Sequence, residues 1–105
     1  MRLTFLAFFF FLNFSILRAE SDWVGNWIAL DEWKSEFSIK INEDGSAESD
    51  YGNGDVGNWS IVDGNIEIRW KSGKKDYIFR GVMGIQRLSK GINKTYTSGM
   101  TKLLD

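Results

Sequence analysis

The sequence predicts an all-β domain, an antiparallel meander of seven or eight strands that closes into a small barrel or a flattened sandwich. The tetrapeptide Val-Gly-Asn-Trp occurs at residues 24–27 and again at 56–59, and each copy opens a stretch rich in branched and aromatic residues. Apolar and polar residues alternate along several short segments, which is typical of half-buried strands. Glycine-containing turns separate these segments, and connections this short force antiparallel pairing.

The individual strands follow from this alternation. It is clearest where isoleucine and aromatic side chains share one face, at residues 37–41 and 66–70. Looser matches extend the set to eight predicted strands, at residues 23–30, 37–41, 47–51, 57–61, 66–70, 77–79, 85–88 and 96–103. Hairpin turns are predicted where glycine follows polar residues, at 42–45, 63–64 and 72–73. Because the chain has no proline to mark a linker, residues 20–105 are interpreted as one domain.

The first 19 residues have the pattern of a secretory signal peptide. Arg2 supplies a positive N-terminal charge, an almost wholly apolar stretch follows, and Ala19 suits a cleavage site. A membrane-spanning helix needs about 20 apolar residues, and here Asn13 and Arg18 interrupt the run. We therefore expect an N-terminal signal helix at residues 1–19 that is removed. The mature domain would be secreted or periplasmic, with no stable membrane anchor after cleavage.

Composition argues against most catalytic chemistry. Histidine and cysteine are both absent, which removes the usual general base near neutral pH, thiol nucleophiles and most zinc and copper sites. A carboxylate pair could hydrolyse glycosides, but the acidic residues at 31–32 and 50–55 read as ordinary exposed acids. Neither 42–45 nor 50–55 matches the twelve-residue calcium loop. We predict a protein that is not an enzyme, with no catalytic residue, no metal site and no cofactor.

Charge is distributed unevenly along the predicted domain. Residues 20–63 contain 11 acids and 2 bases, net −9, whereas residues 64–105 contain 3 acids and 9 bases, net +6. We interpret this split as cross-strand neutralisation within a monomer, which brings acids near bases: Glu36, Glu48 and Asp50 near Lys71, Arg69 and Lys74. The alternative is a dipolar surface that meets a charged partner or a second copy. The bases are scattered and the domain is acidic, so no nucleic-acid binding is expected.

The tryptophans divide into core residues and site candidates. Trp27, Trp59 and Trp70 fall on the inward phase of their strands, and the glycine before each repeated indole should allow close backbone approach. Trp33 lies in a polar connection, where an indole is either a ligand contact or a lid over the barrel end. Tyr51 precedes a glycine-rich loop. We name Trp33, Tyr51 and Trp70 as ligand-binding candidates at an open end of the barrel.

Gly25-Asn26-Trp27 resembles the Gly-x-Trp that opens the first strand of lipocalins and other calycins. Asp76-Tyr77 is similar to the second lipocalin motif, Thr-Asp-Tyr, with Lys75 in the place of threonine. The chain also resembles small exported bacterial proteins with the pattern G-x-W … D-G … G-x-W … D-G … W-x-x-G, here over residues 25–73. These proteins are lipocalin-like in outline and functionally uncharacterised. The resemblance implies an antiparallel barrel. The sequence departs from lipocalins in its shorter length and in lacking their disulfide and the pattern of their C-terminal helix.

Two functions from different classes fit these observations. The first is a binding module for a small apolar molecule or a sugar, held at an open barrel end. The second is an interaction or structural protein of the cell envelope, such as an inhibitor or an assembly partner, acting through its charged faces. A side-chain-filled, closed interior would argue against the first. A cleft with two facing buried carboxylates would favour a hydrolase instead.

Overall fold

The computed structural model describes residues 22–104, and the predicted signal peptide lies outside the described residues. Its strands, in chain order, are β1 (Gly25–Leu30), β2 (Glu36–Ile41), β3 (Ser46–Ser49), β4 (Asp55–Val62), β5 (Asn65–Trp70), β6 (Lys75–Gly81), β7 (Gly84–Lys90) and β8 (Thr95–Lys102). Each strand pairs antiparallel with the next, and β8 pairs with β1, so the sheet is a closed barrel. The predicted all-β meander is confirmed, as a barrel of eight strands. Within this part of the chain, no helix is long and apolar enough to cross a membrane.

Pairing of the first and last strands closes the barrel. Trp27 lies opposite Lys102, and Ala29 lies opposite Met100. The backbone N–H of Leu103 continues the contact by donating to the carbonyl of Asn26 at 2.8 Å. Closure removes the two free sheet edges that an open meander would expose. A domain without disulfides thus gains an unbroken ladder of backbone hydrogen bonds around its circumference.

The meander places its connections alternately at the two ends of the barrel. One end carries the connections at residues 31–35, 50–54, 71–74 and 91–94, and we call it the open end. The other end carries the turns at 42–45, 63–64 and 82–83 together with both ends of the described chain, and we call it the closed end. Since every strand reverses direction, the strand order alone assigns each loop to its end.

Inward-facing side chains fill most of the barrel interior. The buried hydrophobic residues form one cluster: Trp23, Trp27, Ala29, Ile39, Ile41, Ala47, Ile66, Ile68, Trp70, Ile78 and Met100. Phe37, Trp59 and Ile85 are partly buried and pack against it. Burying a large aliphatic side chain contributes about 1.5–3 kcal/mol, so this cluster supplies much of the stability. The inward positions nearest the open end are more polar and include Asp76, Ser89 and Tyr96.

Trp23 closes one end of the barrel. The sequence predicts a strand from residue 23, but β1 starts at Gly25 and Trp23 lies in a turn. Its side chain is 2% exposed, stacks on Trp27 with 6.0 Å between ring centroids, and lies 4.5 Å below the Arg80 guanidinium. The Lys102 ammonium donates to the carbonyl of Asp22 at 3.0 Å. These contacts hold the start of the described chain across the closed end.

The two Gly-x-Trp copies differ in how deeply the indole is buried. Trp27 is 3% exposed, and its indole N–H donates to the carbonyl of Trp23 at 2.9 Å. Trp59 is only half-buried, because β3 is short and its pairing with β4 ends at Ser46 opposite Asn58. Beyond that point, Trp59 lies beside the β2–β3 turn, where its indole N–H donates to the carbonyl of Asn42 at 2.7 Å. The predicted core position is therefore correct for Trp27 and only partly correct for Trp59.

Gly57 allows close backbone approach, as predicted for the glycines of both copies, whereas Gly25 lies against a side chain. A Cβ atom at Gly57 would overlap the carbonyl oxygen of Arg69 on the neighbouring strand. Gly25 has φ = +143°, a conformation that L side chains rarely adopt, and a Cβ there would lie 2.9 Å from Lys102 Cε. A side chain at Gly57 would separate adjacent strands of the barrel, whereas one at Gly25 would strain the backbone and displace the end of the Lys102 side chain.

Ion pairs join the acidic and basic halves of the chain, but through other residues than predicted. Lys94 pairs with Glu32 at 3.3 Å and Arg80 with Asp22 at 4.0 Å. None of the predicted acid–base pairs is found among the residues that the structure describes. Arg69 instead pairs with Glu67 of its own strand at 2.9 Å. Glu48 and Arg69 lie on β3 and β5, which β4 separates.

Hydrogen bonds in the β2–β3 turn lower the pKa of Asp44. Its Oδ1 accepts hydrogen bonds from the Ser46 hydroxyl at 2.6 Å and from the Ser46 backbone N–H at 2.9 Å. These bonds favour the ionised carboxylate and lower the pKa of Asp44 from its ordinary value of 3.8. The stabilisation is present above the unfolded-state pKa and is lost as the pH falls through the folded-state pKa. In a carboxyl-detected NMR titration, Ser46→Ala should raise the Asp44 midpoint, and an unchanged midpoint would contradict this account.

Candidate functional site

The open end of the barrel contains a cavity of about 500 Å³. This volume is within the usual range for small-molecule sites. Residues from all the open-end connections or the adjoining strand ends line it: Glu32, Tyr51, Gly54, Asp55, Ser72, Lys74, Ser89, Gly91, Ile92, Asn93, Lys94 and Tyr96. A depression of about 550 Å³ adjoins it on the outer surface and shares Gly54, Asp55 and Ser72. Of the two, only the open-end cavity is lined by aromatic rings, those of Tyr51 and Tyr96.

A buried ion pair lies beneath this cavity. Arg87 of β7 is 0% exposed and Asp76 of β6 is 1% exposed. Arg87 Nη1 donates to Asp76 Oδ2 at 3.1 Å, and the indole N–H of Trp70 donates to the same oxygen at 3.0 Å. The three side chains converge because β5, β6 and β7 are consecutive strands of the barrel. Buried charges are stable only when paired and hydrogen-bonded, and each of these residues supplies part of that pairing.

The other amino group of Arg87 bonds to β1 and β8, whose pairing is the seam that closes the barrel. Its Nη2 donates to the carbonyl of Leu30 at 2.8 Å and to the Tyr96 hydroxyl at 2.7 Å. The Ser98 hydroxyl donates to the same Leu30 carbonyl at 2.7 Å. The guanidinium also lies 5.0 Å from the ring centroid of Phe37 and 5.2 Å from that of Tyr96. Arg87 therefore ties β7 to β1 and β8, which are the strands that close the barrel.

Tyr51 forms an aromatic wall of the cavity. Its ring packs against Phe37 with 4.9 Å between centroids, and the Lys74 ammonium lies 4.6 Å from its centroid. Partial burial raises the pKa of Tyr51, and the negative charge of Asp31 raises it further. The hydroxyl thus stays protonated at neutral pH, so Tyr51 offers a ligand an aromatic face and a neutral hydroxyl.

Trp33 lies on the rim and does not line the cavity. Its side chain is 68% exposed, and the Lys94 ammonium lies 5.3 Å from its ring centroid. The loop that carries it is ordered by Asp31, whose Oδ1 accepts the backbone N–H groups of Trp33 at 2.8 Å and Ser35 at 2.9 Å. In this conformation, Trp33 stands beside the opening and not across it.

The structure separates the predicted site residues by depth. Tyr51 lines the cavity, Trp33 stands at its rim, and Trp70 is buried at 6% exposure, where it holds Asp76. Sequence reasoning missed Asp76, Arg87 and Tyr96. The signal was present, because Arg87 alternates in phase with Ile85 and Ser89, which places a charged residue on the inward face of a strand. Asp76 likewise shares its phase with Ile78.

The site offers oxygen and nitrogen groups for hydrogen bonding rather than a metal-ligand set. In residues 22–104, no group of three or more acidic side chains is arranged to hold a metal ion. What the arrangement can do is bind a ligand, with two tyrosine rings for its faces and lysine, serine and asparagine side chains for its polar groups. The buried ion pair of Asp76 and Arg87 lies beneath these groups.

No family model, curated protein or solved structure matches this chain. The resemblance to lipocalin-like exported proteins therefore stays a prediction.

Proposed function

We propose that this protein is an exported binding module that holds one small molecule in the open end of its barrel. The observation that carries the proposal is the cavity of about 500 Å³, which combines aromatic rings with polar side chains at one end of a closed barrel. Side chains fill most of the interior and Trp23 fills the opposite end. The ligand would therefore be held among the open-end connections and not deep within the barrel, and it would enter and leave by that end. The proposal includes no catalytic role, because the buried Asp76 carboxylate is paired with Arg87 instead of facing a second carboxylate.

The lining favours a molecule that has both a ring face and several polar groups. Tyr51 and Tyr96 supply ring surface, whereas Ser72, Lys74 and Asn93 supply hydrogen-bonding groups. A purely apolar ligand would cover such groups without pairing them, and polar groups that lose water without gaining a partner are costly. Of the two ligand classes that the sequence allows, a sugar-like molecule therefore fits the cavity better than a hydrocarbon.

The test is a calorimetric and thermal-shift screen of the purified protein against neutral sugars, sugar acids, aromatic acids and fatty acids. We expect at least one compound to bind and to raise the melting temperature. Tyr51→Ala should weaken that binding by about tenfold or more, because it removes a stacking wall of the cavity.

The matched control is Tyr77→Ala. Tyr77 belongs to β6, and its ring stacks on Phe79 at 5.9 Å, away from the cavity. This substitution should leave affinity unchanged within about twofold, once both variants are corrected for stability. Equal weakening by the two variants, or no binding by any compound, would contradict the proposal.

A second candidate function, a partner-binding protein of the cell envelope, is favoured by one observation at the closed end. Val82 and Met83 form the β6–β7 turn and are 104% and 91% exposed. Apolar side chains at the tip of a hairpin are typical anchors of a protein interface. If this turn binds a partner protein, Val82→Ser with Met83→Ser should abolish its co-purification from envelope extracts, whereas Tyr51→Ala should not. Loss of the partner with Tyr51→Ala alone would contradict this second function.

A further inference from the structure

We propose that the molecule held in the open-end cavity carries a carboxylate, bound by the Tyr96 hydroxyl and the Lys74 ammonium. This inference rests on the proposed function and names the ligand class. Both residues line the cavity, and the Tyr96 hydroxyl and the Lys74 ammonium have hydrogen-bonding capacity that residues 22–104 leave unused.

The Tyr96 hydroxyl is oriented as a donor. A guanidinium has no acceptor atoms, so in the 2.7 Å contact Arg87 Nη2 donates and the Tyr96 oxygen accepts. The phenolic proton must then point away from Arg87, and it donates to none of the residues that the structure describes. Hydrogen bonding to a charged donor polarises the phenol and strengthens its own O–H as a donor. Tyr96 therefore presents a strong, directed donor at a wall of the cavity.

Arg87 holds this donor in place. It is 0% exposed and cannot turn toward solvent, because Nη1 is bonded to Asp76 and Nη2 to Leu30. A buried guanidinium fixed on two sides gives Tyr96 one hydrogen-bonding geometry. Arg87 is a positioning residue here, since the cavity lining contains Tyr96 and not Arg87.

Lys74 is the cation left free for a ligand. The other lysine of the lining, Lys94, is paired with Glu32 at 3.3 Å. The carboxylate of Asp55 accepts the Ser72 hydroxyl at 2.6 Å and the Val56 backbone N–H at 2.9 Å. Lys74 lies over the Tyr51 ring at 4.6 Å and forms no ion pair within the described chain. Its three ammonium protons are thus available beside an aromatic face.

One cation and one directed neutral donor match a carboxylate better than other groups. A carboxylate has a single negative charge and two oxygens, so one oxygen can accept from Tyr96 and the other can pair with Lys74. A phosphate monoester carries nearly two negative charges at neutral pH, and the Asp55 carboxylate in the same lining would repel the excess. A neutral amide or hydroxyl would leave the Lys74 charge without a counter-charge.

The test compares matched acids and neutral analogues by titration calorimetry. Phenylacetate is paired with phenylacetamide, and glucuronate with methyl glucoside, so the two pairs distinguish an aromatic acid from a sugar acid. We expect the acid to bind about tenfold or more tightly than its neutral analogue in at least one pair, as a charge-assisted bond would give. Lys74→Gln should remove this preference, and Tyr96→Phe should weaken the acid about tenfold.

The controls keep the outcomes distinct. Tyr77→Phe removes a hydroxyl outside the cavity and should leave affinities unchanged. Thermal melts serve to check that Tyr96→Phe is folded, which we expect because Arg87 Nη2 keeps its bond to the Leu30 carbonyl. If the neutral analogues bind as tightly as their acids in both pairs, the carboxylate inference is overturned while the proposed function stands. If neither acid binds, the inference is overturned, and a failure of the wider screen as well would refute the proposed function.

Discussion

Replacing Trp27 with alanine should lower the free energy of unfolding by about 3–5 kcal/mol. Trp27 is 3% exposed, stacks on Trp23 and donates its indole N–H to the Trp23 carbonyl. The substitution creates a cavity in the core and also removes the surface against which Trp23 closes the barrel end. Native proteins have a total stability of about 5–15 kcal/mol, so the variant should lose a large fraction of its stability. Chemical denaturation followed by circular dichroism measures the loss.

Trp33→Ala is the matched control for this loss. The indole of Trp33 is 68% exposed, and its main packing partner is the exposed Lys94 side chain. Its removal should cost less than about 1 kcal/mol. Trp59→Ala should lie between the two, since Trp59 is half-buried but loses its bond to the Asn42 carbonyl. Similar losses for Trp27→Ala and Trp33→Ala would show that the closed-end packing described here is wrong.

Arg87→Met should destabilise the protein by about 3–5 kcal/mol, because it leaves a buried carboxylate without its charged partner. Asp76 is 1% exposed and would keep only the indole N–H of Trp70 on Oδ2. The bonds from Arg87 to Leu30 and Tyr96 across the barrel seam would be lost as well. Urea unfolding at neutral pH gives the change in free energy.

The double variant Arg87→Met with Asp76→Leu separates the ion pair from packing. Replacing both partners by apolar groups removes the unpaired buried charge, so it should recover a large part of the loss. Asp76 Oδ1 and Arg87 Nε have no hydrogen-bond partner within residues 22–104, which adds to the cost of keeping the pair. As a surface control, Arg69→Met removes the exposed pair with Glu67 and should cost less than about 1 kcal/mol. A double variant as unstable as Arg87→Met would contradict this reading of the network.

Local patterns predicted the fold well because strand signals act over a few residues. The two-residue period of Phe37, Ile39 and Ile41 shows that the segment is a strand and which of its side chains face inward. The short glycine turns show where the backbone reverses direction. Strand ends were less predictable. The sequence at Trp23 resembles the start of a strand, but Trp23 lies in a turn. Its position is set by stacking on Trp27 at the closed end of the barrel, and the local sequence does not reveal that contact.

The site was less accessible to sequence reasoning, since it depends on contacts between strands far apart in the chain. Arg87 bonds to the carbonyl of Leu30, 57 residues earlier, and no local spacing encodes such a contact. Aromatic residues in polar connections identified Trp33 and Tyr51 as site candidates. The charged residues on the inward face of β6 and β7 were not predicted to belong to the site. Charge pairing failed for a similar reason: the partners of Glu48 and Arg69 follow from strand order, which composition does not reveal.

The central claim is that a small molecule binds at the open end of the barrel. It is tested most directly by two-dimensional NMR of the isotope-labelled protein titrated with the tightest-binding compound of the screen. The account predicts that amide shifts concentrate in residues 31–35, 50–54, 71–74 and 91–94 and in the adjoining ends of β7 and β8. Shifts concentrated in the closed-end turns at 42–45, 63–64 and 82–83 would contradict it.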